Sequence, residues 1–236
     1  MNTEFDDYAR NYNAGMEDPI KAALGESANV FLLSKIELLF RFLRLDPRLA
    51  GDNADIRLLD FGCGTGDFLA LLAEKDCHWR MEGCDLSNGM LAEAKSRYPA
   101  LRSPGTLWIC DTDRFPQSCY DVITAVCVLH HIAPAVWPDC LSRLHSALRP
   151  GGVLAIFEHN PWNPLTRWIV SRAAIDRNAV LLSPLMTRRL MKASGFRVDI
   201  ARFFLFLPPR FQLLRRLERV FINLPIGGQY CLTGWV

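Results

Sequence analysis

Apolar residues fall into two textures along this chain. Apolar-rich stretches recur at 56–60, 106–110, 120–129 and 153–157, with a more polar strand-like one at 80–84; the run at 120–129 is continuous. Such a run, bounded by turn residues, reads as a strand buried on both faces. Between the runs the apolar positions follow a helical spacing, as in Val30, Leu33, Ile36, Leu39, Phe40 and Leu43, or Phe68, Leu69, Leu71 and Leu72. That spacing predicts helices over 26–45, 67–75, 88–97 and 135–148. Pro47, Gly51 and Asp52 end the first, Ser87 stands where it can cap the third, and Arg149, Pro150, Gly151 and Gly152 break the last. Residues 1–24 are polar and irregular, with Phe5, Tyr8 and Tyr12 spaced as in a short helix. Strand–helix alternation predicts an α/β fold, a doubly wound parallel sheet with its ligand along the C-terminal strand edge.

Chemistry gathers at that edge. The first run ends in Asp60 and passes at once into Gly62, Gly64 and Gly66; later runs end in Asp85, Asp111 and Glu158. Glycines at alternate positions let the chain turn sharply and leave no Cβ in a ligand's way. The helix that follows offers unpaired N–H groups. The spacing is not the G-x-G-x-x-G of dinucleotide sites. A carboxylate on the strand end suits an ammonium group better than a pyrophosphate. Asp85 lies 25 residues after Asp60, close to the spacing of an acid on a ribose.

The ordered set of motifs resembles the class I S-adenosylmethionine-dependent methyltransferases. It comprises the Asp60-Gly62-Gly64-Gly66 turn, Asp85, Asp111 before Phe115 and Pro116, Tyr120 and Asp121 with His130 and His131, and the Leu148–Gly152 break, together spanning about 55–160. The resemblance implies a seven-stranded, mostly parallel sheet closed by an antiparallel hairpin, which 196–205 and 229–236 fit. It implies S-adenosylmethionine as cofactor. Asp60, Gly62, Gly64 and Gly66 would hold its amino-acid end, Asp85 its ribose, Leu86 and Asp111 its adenine, with a backbone N–H from Thr112. The turn around Cys127 would face the sulfonium, and Tyr12 resembles a tyrosine that folds over the cofactor. No metal ligand set is implied. A nicotinamide-dependent oxidoreductase or a non-catalytic cofactor-binding protein are the readings from other classes.

Composition adds one asymmetry. A formal charge of +2 hides a split: residues 160–236 hold eleven Arg and one Lys against three acids, whereas 1–159 hold fifteen basic and twenty-two acidic residues. The eight cysteines include no C-x-x-C pair and read as reduced thiols of a cytoplasmic protein; the acidic N-terminus has no apolar signal core. One domain over 1–236 is expected, with a helical cap at 1–50, a cofactor core at 55–160 and substrate-side insertions at 161–182 and 208–225.

The basic third departs from the family pattern. Asn160, Pro161, Trp162, Asn163 and Pro164 form an ordered turn straight after a strand end, hence at the ligand edge, followed by a helix-like apolar stretch to Leu182. Phe211, Leu213, Leu214, Leu217, Val220, Phe221 and Leu224 interleave with Arg210, Arg215, Arg216 and Arg219 as a basic amphipathic helix. That helix can face solvent, an acceptor or an anionic membrane surface. Nucleic acid is not expected, because no compact basic run appears. Candidate bases are Glu158 and His159; candidate acceptor contacts are Asn160, Trp162, Asn163, Arg167, Arg188, Arg189 and Tyr230. His131 is weighed as a lesser candidate for acceptor contact. The acceptor expected is a small, anionic, partly apolar metabolite. C-methylation of a prenyl diphosphate such as isopentenyl diphosphate comes first, by general likeness to bacterial C-methyltransferases of that class. O-methylation of a lipid-linked sugar or polyketide-like compound comes second. Arginine forks would match the diphosphate oxygens.

Overall fold

The computed structural model describes residues 5, 6, 9, 28–43, 56–75, 79–103, 105–110, 115–206 and 220–236. Each of these stretches becomes a strand: β1 (Arg57–Phe61), β2 (Arg80–Asp85), β3 (Leu107–Ile109), β4 (Tyr120–Val126) and β5 (Leu148–His159). Helices connect them: α1 (Ala28–Leu43) precedes β1, α2 (Asp67–Ala73) and α3 (Asn88–Arg97) follow β1 and β2, and α4 (Trp137–Ala147) leads into β5. The sheet runs in the order β3-β2-β1-β4-β5, all parallel. Its strand order reverses between β1 and β4, the place where a doubly wound sheet opens a crevice.

The last strands are short and antiparallel. Arg197–Val198 (β6) and Arg202–Phe204 (β7) both pair with β8 (Gln229–Trp235), which lies antiparallel along β5 from Val153↔Trp235 to His159↔Gln229. The sheet thus has eight strands; the run at 196–205, expected as one strand, is two. The Arg-Pro-Gly-Gly stretch expected to break the chain is absorbed into β5, with a register shift between Tyr120 and Val122 and Gly151 at φ +80°.

Packing follows the periodicities. On α4, Trp137, Cys140, Leu141, Leu144 and Ala147 are buried against one sheet face; on α1, Ile36, Leu39 and Leu43 are buried against the other. Beyond β5 the chain departs from expectation. The stretch to Leu182 holds only a two-turn helix, α5 (Pro164–Val170), and a single turn at Ala174–Asp176. Ser171, Arg172, Asp176, Arg177 and Asn178 interrupt the apolar pattern there. A further helix, α6 (Pro184–Ala193), is capped by Ser183, whose Oγ accepts from Met186 N–H, with Pro184 in the first helical turn. The Ser183-Pro184 start signal stands in the sequence. Most of the basic amphipathic segment, residues 207–219, lies outside the described residues. No helix among those described is long and apolar enough to cross a membrane.

Candidate functional site

A pocket opens at the C-terminal ends of β1, β2 and β4. Its wall includes Asp60, Gly62, Gly64, Asp85, Leu86, Cys127 and His131, with Phe5, Leu32, Phe61, Phe68, Met90, Val126, Val128 and Ile132 as its apolar surface. The glycine turn builds one side. Gly62, Gly64 and Gly66 take φ of +70°, +53° and +76°, a region that side chains disfavour. Their open faces differ. A Cβ on Gly62 would lie 2.6 Å from Val128, and one on Gly66 would lie 2.6 Å from Leu101. Among the described residues, a Cβ on Gly64 would meet no atom within 4 Å; Gly64 itself lines the pocket.

The two carboxylates are oriented differently. Asp85 accepts from Gly64 N–H at 2.9 Å and from Ser87 N–H at 2.9 Å, so one side chain ties the glycine turn to the start of α3. Asp60 is buried and accepts from Thr124 Oγ1–H at 2.7 Å. Burial, reinforced by the charge of Asp85 and opposed by the Thr124 bond, pushes its carboxyl up to about 7. A buried acid with that bias favours a cationic partner. The N-terminal segment reaches the same place: Asp6 accepts from Ser87 Oγ–H at 2.5 Å and from Gly89 N–H at 2.8 Å, and Phe5 meets His131 edge to face with ring centroids 5.0 Å apart.

At the far end the chain leaves β4 through Cys127, which has φ +57° and donates its N–H to Phe157 C=O. A non-glycine residue held there is costly and marks a place where surrounding structure imposes the turn. His130 and His131 follow. His130 is buried, with Nδ1 2.5 Å from Glu158 Oε2 and Nε2 3.5 Å from Asp176 Oδ1. The second Glu158 oxygen accepts from Leu129 N–H at 2.8 Å. Burial alone would lower the His130 pKa, but the two carboxylates outweigh it and hold the ring protonated well above its usual range. Burial would raise Glu158 and Asp176, and the His130 cation instead holds both below theirs. His131 Nε2 also lies 3.5 Å from Asp176 Oδ1. Burial and then the neighbouring His130 cation lower His131 to about 4, which leaves it neutral at physiological pH. Metal-ligand atoms of His130, His131 and Asp176 come within 4.8 Å of one another, each already within ion-pair reach of another member of the group.

These placements revise the expected bases. Glu158 and His159 do not line the pocket. Glu158 is buried with both oxygens engaged by His130 and Leu129, so it orients His130 instead of meeting an acceptor. The His159 ring packs beside His130, with Nδ1 3.4 Å from Gln229 Nε2; burial and the His130 charge lower it to about 3. His131, the group on the pocket wall, was weighed as the lesser candidate.

None of the seven expected acceptor contacts lines the pocket. The Asn160 amide donates to Pro225 C=O at 3.0 Å and Gly227 C=O at 2.8 Å, and its oxygen accepts from Trp162 N–H. Asn163 caps α5 through Thr166 N–H and donates to Ile226 C=O at 2.7 Å. Tyr230 is fully buried, its hydroxyl bonded to Thr187 Oγ1 and Leu182 C=O. These groups hold the turn and the sheet together. Trp162, Arg167 and Arg189 are exposed, and Arg188 keeps Nε buried without a hydrogen-bond partner. Tyr12, Asp111 and Thr112 lie outside the described residues.

Residues 59–154 match a family described as a methyltransferase domain. The chain is 33% identical over 164 residues to a demethylmenaquinone methyltransferase of Beutenbergia cavernae, covering 68% of this chain and 59% of that protein. It is 34% identical over 159 residues to a trans-aconitate 2-methyltransferase of Variovorax paradoxus, covering 61% and 59%. The match thus spans little more than half the length of these curated relatives. Among solved structures, a methyltransferase from Thermotoga maritima, described as a possible histamine N-methyltransferase, aligns with a TM-score of 0.65 at 16% identity over 98% of this chain and 97% of that one. One from Archaeoglobus fulgidus aligns with a TM-score of 0.58 at 18% identity, over 85% and 94%. At such identities these two speak for the fold.

Proposed function

We propose that this chain, which belongs to the class I S-adenosylmethionine-dependent methyltransferases, transfers the cofactor's methyl group to a small, partly apolar acceptor at the His131 end of the pocket. The pocket fits the cofactor on two observations: the open face of Gly64, and the buried acid Asp60, which among the described residues is bonded by the Thr124 hydroxyl and by no cation. Asp85 would hold the ribose, Leu86 would cover the adenine, and Asp60 would meet the amino group. Asp111, Thr112 and Tyr12 keep the roles implied by resemblance. When bound, the cofactor supplies a methyl already activated by a positive sulfur.

His131 carries the reading of the acceptor end. It is the neutral base on the pocket wall, 3.5 Å from a carboxylate that can balance the charge it gains. A hydroxyl, amine or activated carbon that loses a proton on methylation would hand it to His131. The apolar side chains around it exclude water from that transfer. Acceptors named for relatives include demethylmenaquinone and trans-aconitate, and a further relative is a ubiquinone/menaquinone C-methyltransferase. An isoprenoid-bearing acceptor is our first candidate. The diphosphate form has the weaker support, since Arg167, Arg188 and Arg189 stand off the pocket and its charged wall residues are Asp60, Asp67 and Asp85.

The test supplies cofactor with a labelled methyl group to prenylated quinols, prenyl diphosphates, the free alcohols, and small lipid-linked or polyketide-like hydroxyls. Label in the quinols is expected; label confined to diphosphates would restore the phosphate reading, and label in alcohols would make this an O-methyltransferase. His131→Gln should lower kcat by about 10²–10⁴ while cofactor affinity stays unchanged. Unaltered turnover would remove His131 from the reaction. Intact cofactor binding with no turnover on any acceptor would leave a binding protein.

A further inference from the structure

We infer that the surface made by α5 and the turn before β8 docks this chain onto an anionic lipid bilayer. Large apolar side chains concentrate there. Trp162, Leu165 and Trp168 stand exposed on one side, and Val220, Phe221, Leu224 and Ile226 on the other; Leu165, Val220 and Ile226 are 56%, 75% and 62% exposed. The two sides are one built unit. Asn163 Nδ2 donates to Ile226 C=O at 2.7 Å, Asn160 Nδ2 donates to Pro225 and Gly227 C=O, and Thr166 Oγ1 donates to Gly228 C=O at 2.9 Å. Exposed apolar side chains gathered on one tied unit, with a charged rim, mark an interaction surface.

The rim identifies the occupant. Arg167 is exposed between Leu165 and Trp168, the Arg172 guanidinium sits 4.2 Å over the Trp168 ring, and Arg202 bonds Asn223 between Phe221 and Leu224. Among the described residues from 160 onward the acids are Asp176, held by His130, and Asp199, held by Thr233 and Trp235. Among the described residues from 160 onward, the arginines of the patch thus face no free carboxylate. A second copy of the same face would set arginines against arginines. Lipid phosphates and anionic headgroups complement them, tryptophans favour the bilayer interface, and the leucine and isoleucine tips reach the acyl boundary.

Its place in the fold adds a consequence. α5 starts directly after β5 ends, and β8 begins opposite that point, so the patch lies along the strand edge on which the pocket opens. A docked chain would turn its pocket edge toward the bilayer surface.

Sedimentation of the full chain with vesicles reads this without turnover, so its outcome is separate from the acceptor assignment. Vesicles of phosphatidylcholine mixed with phosphatidylglycerol should carry the chain down, and phosphatidylcholine alone should carry down much less. Added salt should release it, and tryptophan emission should shift to the blue on binding. Arg172→Gln should lower partition roughly fivefold, the effect of one interfacial cation, and Leu165→Ser with Trp168→Ser should lower it further. These side chains are exposed, so circular dichroism should report an unchanged fold. The inference is overturned by no binding to the mixed vesicles, by binding that the variants leave unaltered, or by a dimer in solution that Leu165→Ser dissolves without any vesicle binding.

Discussion

Asp60 and Gly64 carry the sharpest consequences at the scale of single residues. Asp60 takes its proton near neutrality because the fold buries it, and a bound ammonium group would demand its ionised form. Cofactor affinity should therefore fall as pH drops below about 7, by at most about tenfold per pH unit, with proton release on binding. Titration calorimetry in buffers of different ionisation enthalpy measures both, and Asp60→Asn should abolish the dependence. An affinity independent of pH in the parent would separate Asp60 from the cofactor. The glycines divide by what surrounds them. Gly62→Ala forces a methyl onto Val128 and should lower stability by about 1–3 kcal/mol in denaturant unfolding. The Cβ that Gly64→Val adds meets no described protein atom within 4 Å, so its stability loss should be chiefly that of a positive φ, while cofactor binding should be lost. Asp85→Ala removes the acceptor of both Gly64 and Ser87 N–H and should weaken cofactor binding by about 1.5–3 kcal/mol.

Among the elements, the end of β5 joins the site to the surface. Glu158 faces inward to His130, and Asn160 and Asn163 fold the next turn onto the chain before β8. Glu158→Gln should cost about 3–5 kcal/mol in chemical denaturation, because it strands a buried imidazolium. The pair also sets a pH window. His130 is held protonated above its free value of 6.5, so its contribution is complete below that pH and fades as pH rises through its folded value. Glu158 is held ionised below its free value of 4.5, so its contribution is complete above that and fades as pH falls through its folded value. Glu158→Gln should flatten both slopes of a stability–pH curve. Asn163→Ala, losing a helix cap and the bond to Ile226, should cost about 1–2 kcal/mol and loosen the patch that α5 presents.

For the whole molecule, the charge split becomes spatial. The acidic part of the chain builds the pocket and its three carboxylates; the basic third carries arginines among exposed apolar side chains. The proposed activity and the proposed membrane contact thus lie along one edge of the sheet and can be tested apart.

What the sequence determined by itself was local. Strands and their order of alternation follow from apolar-rich stretches between turn residues, the central ones, β1, β4 and β5, being buried along most of their length. The glycine turn with Asp60 and Asp85 was legible because backbone geometry and strand-end position are written in consecutive residues. Tertiary structure decided the rest. His131 and Asp176 meet only because the chain beyond α5 folds back over the end of β4, a contact with no periodic signature. Asn160, Asn163 and Tyr230 look like ligand groups in sequence, yet backbone carbonyls and the Thr187 hydroxyl claim their hydrogen bonds first. Glu158 likewise loses its apparent role as a base, since a buried carboxylate needs the cation that only a neighbouring strand end supplies.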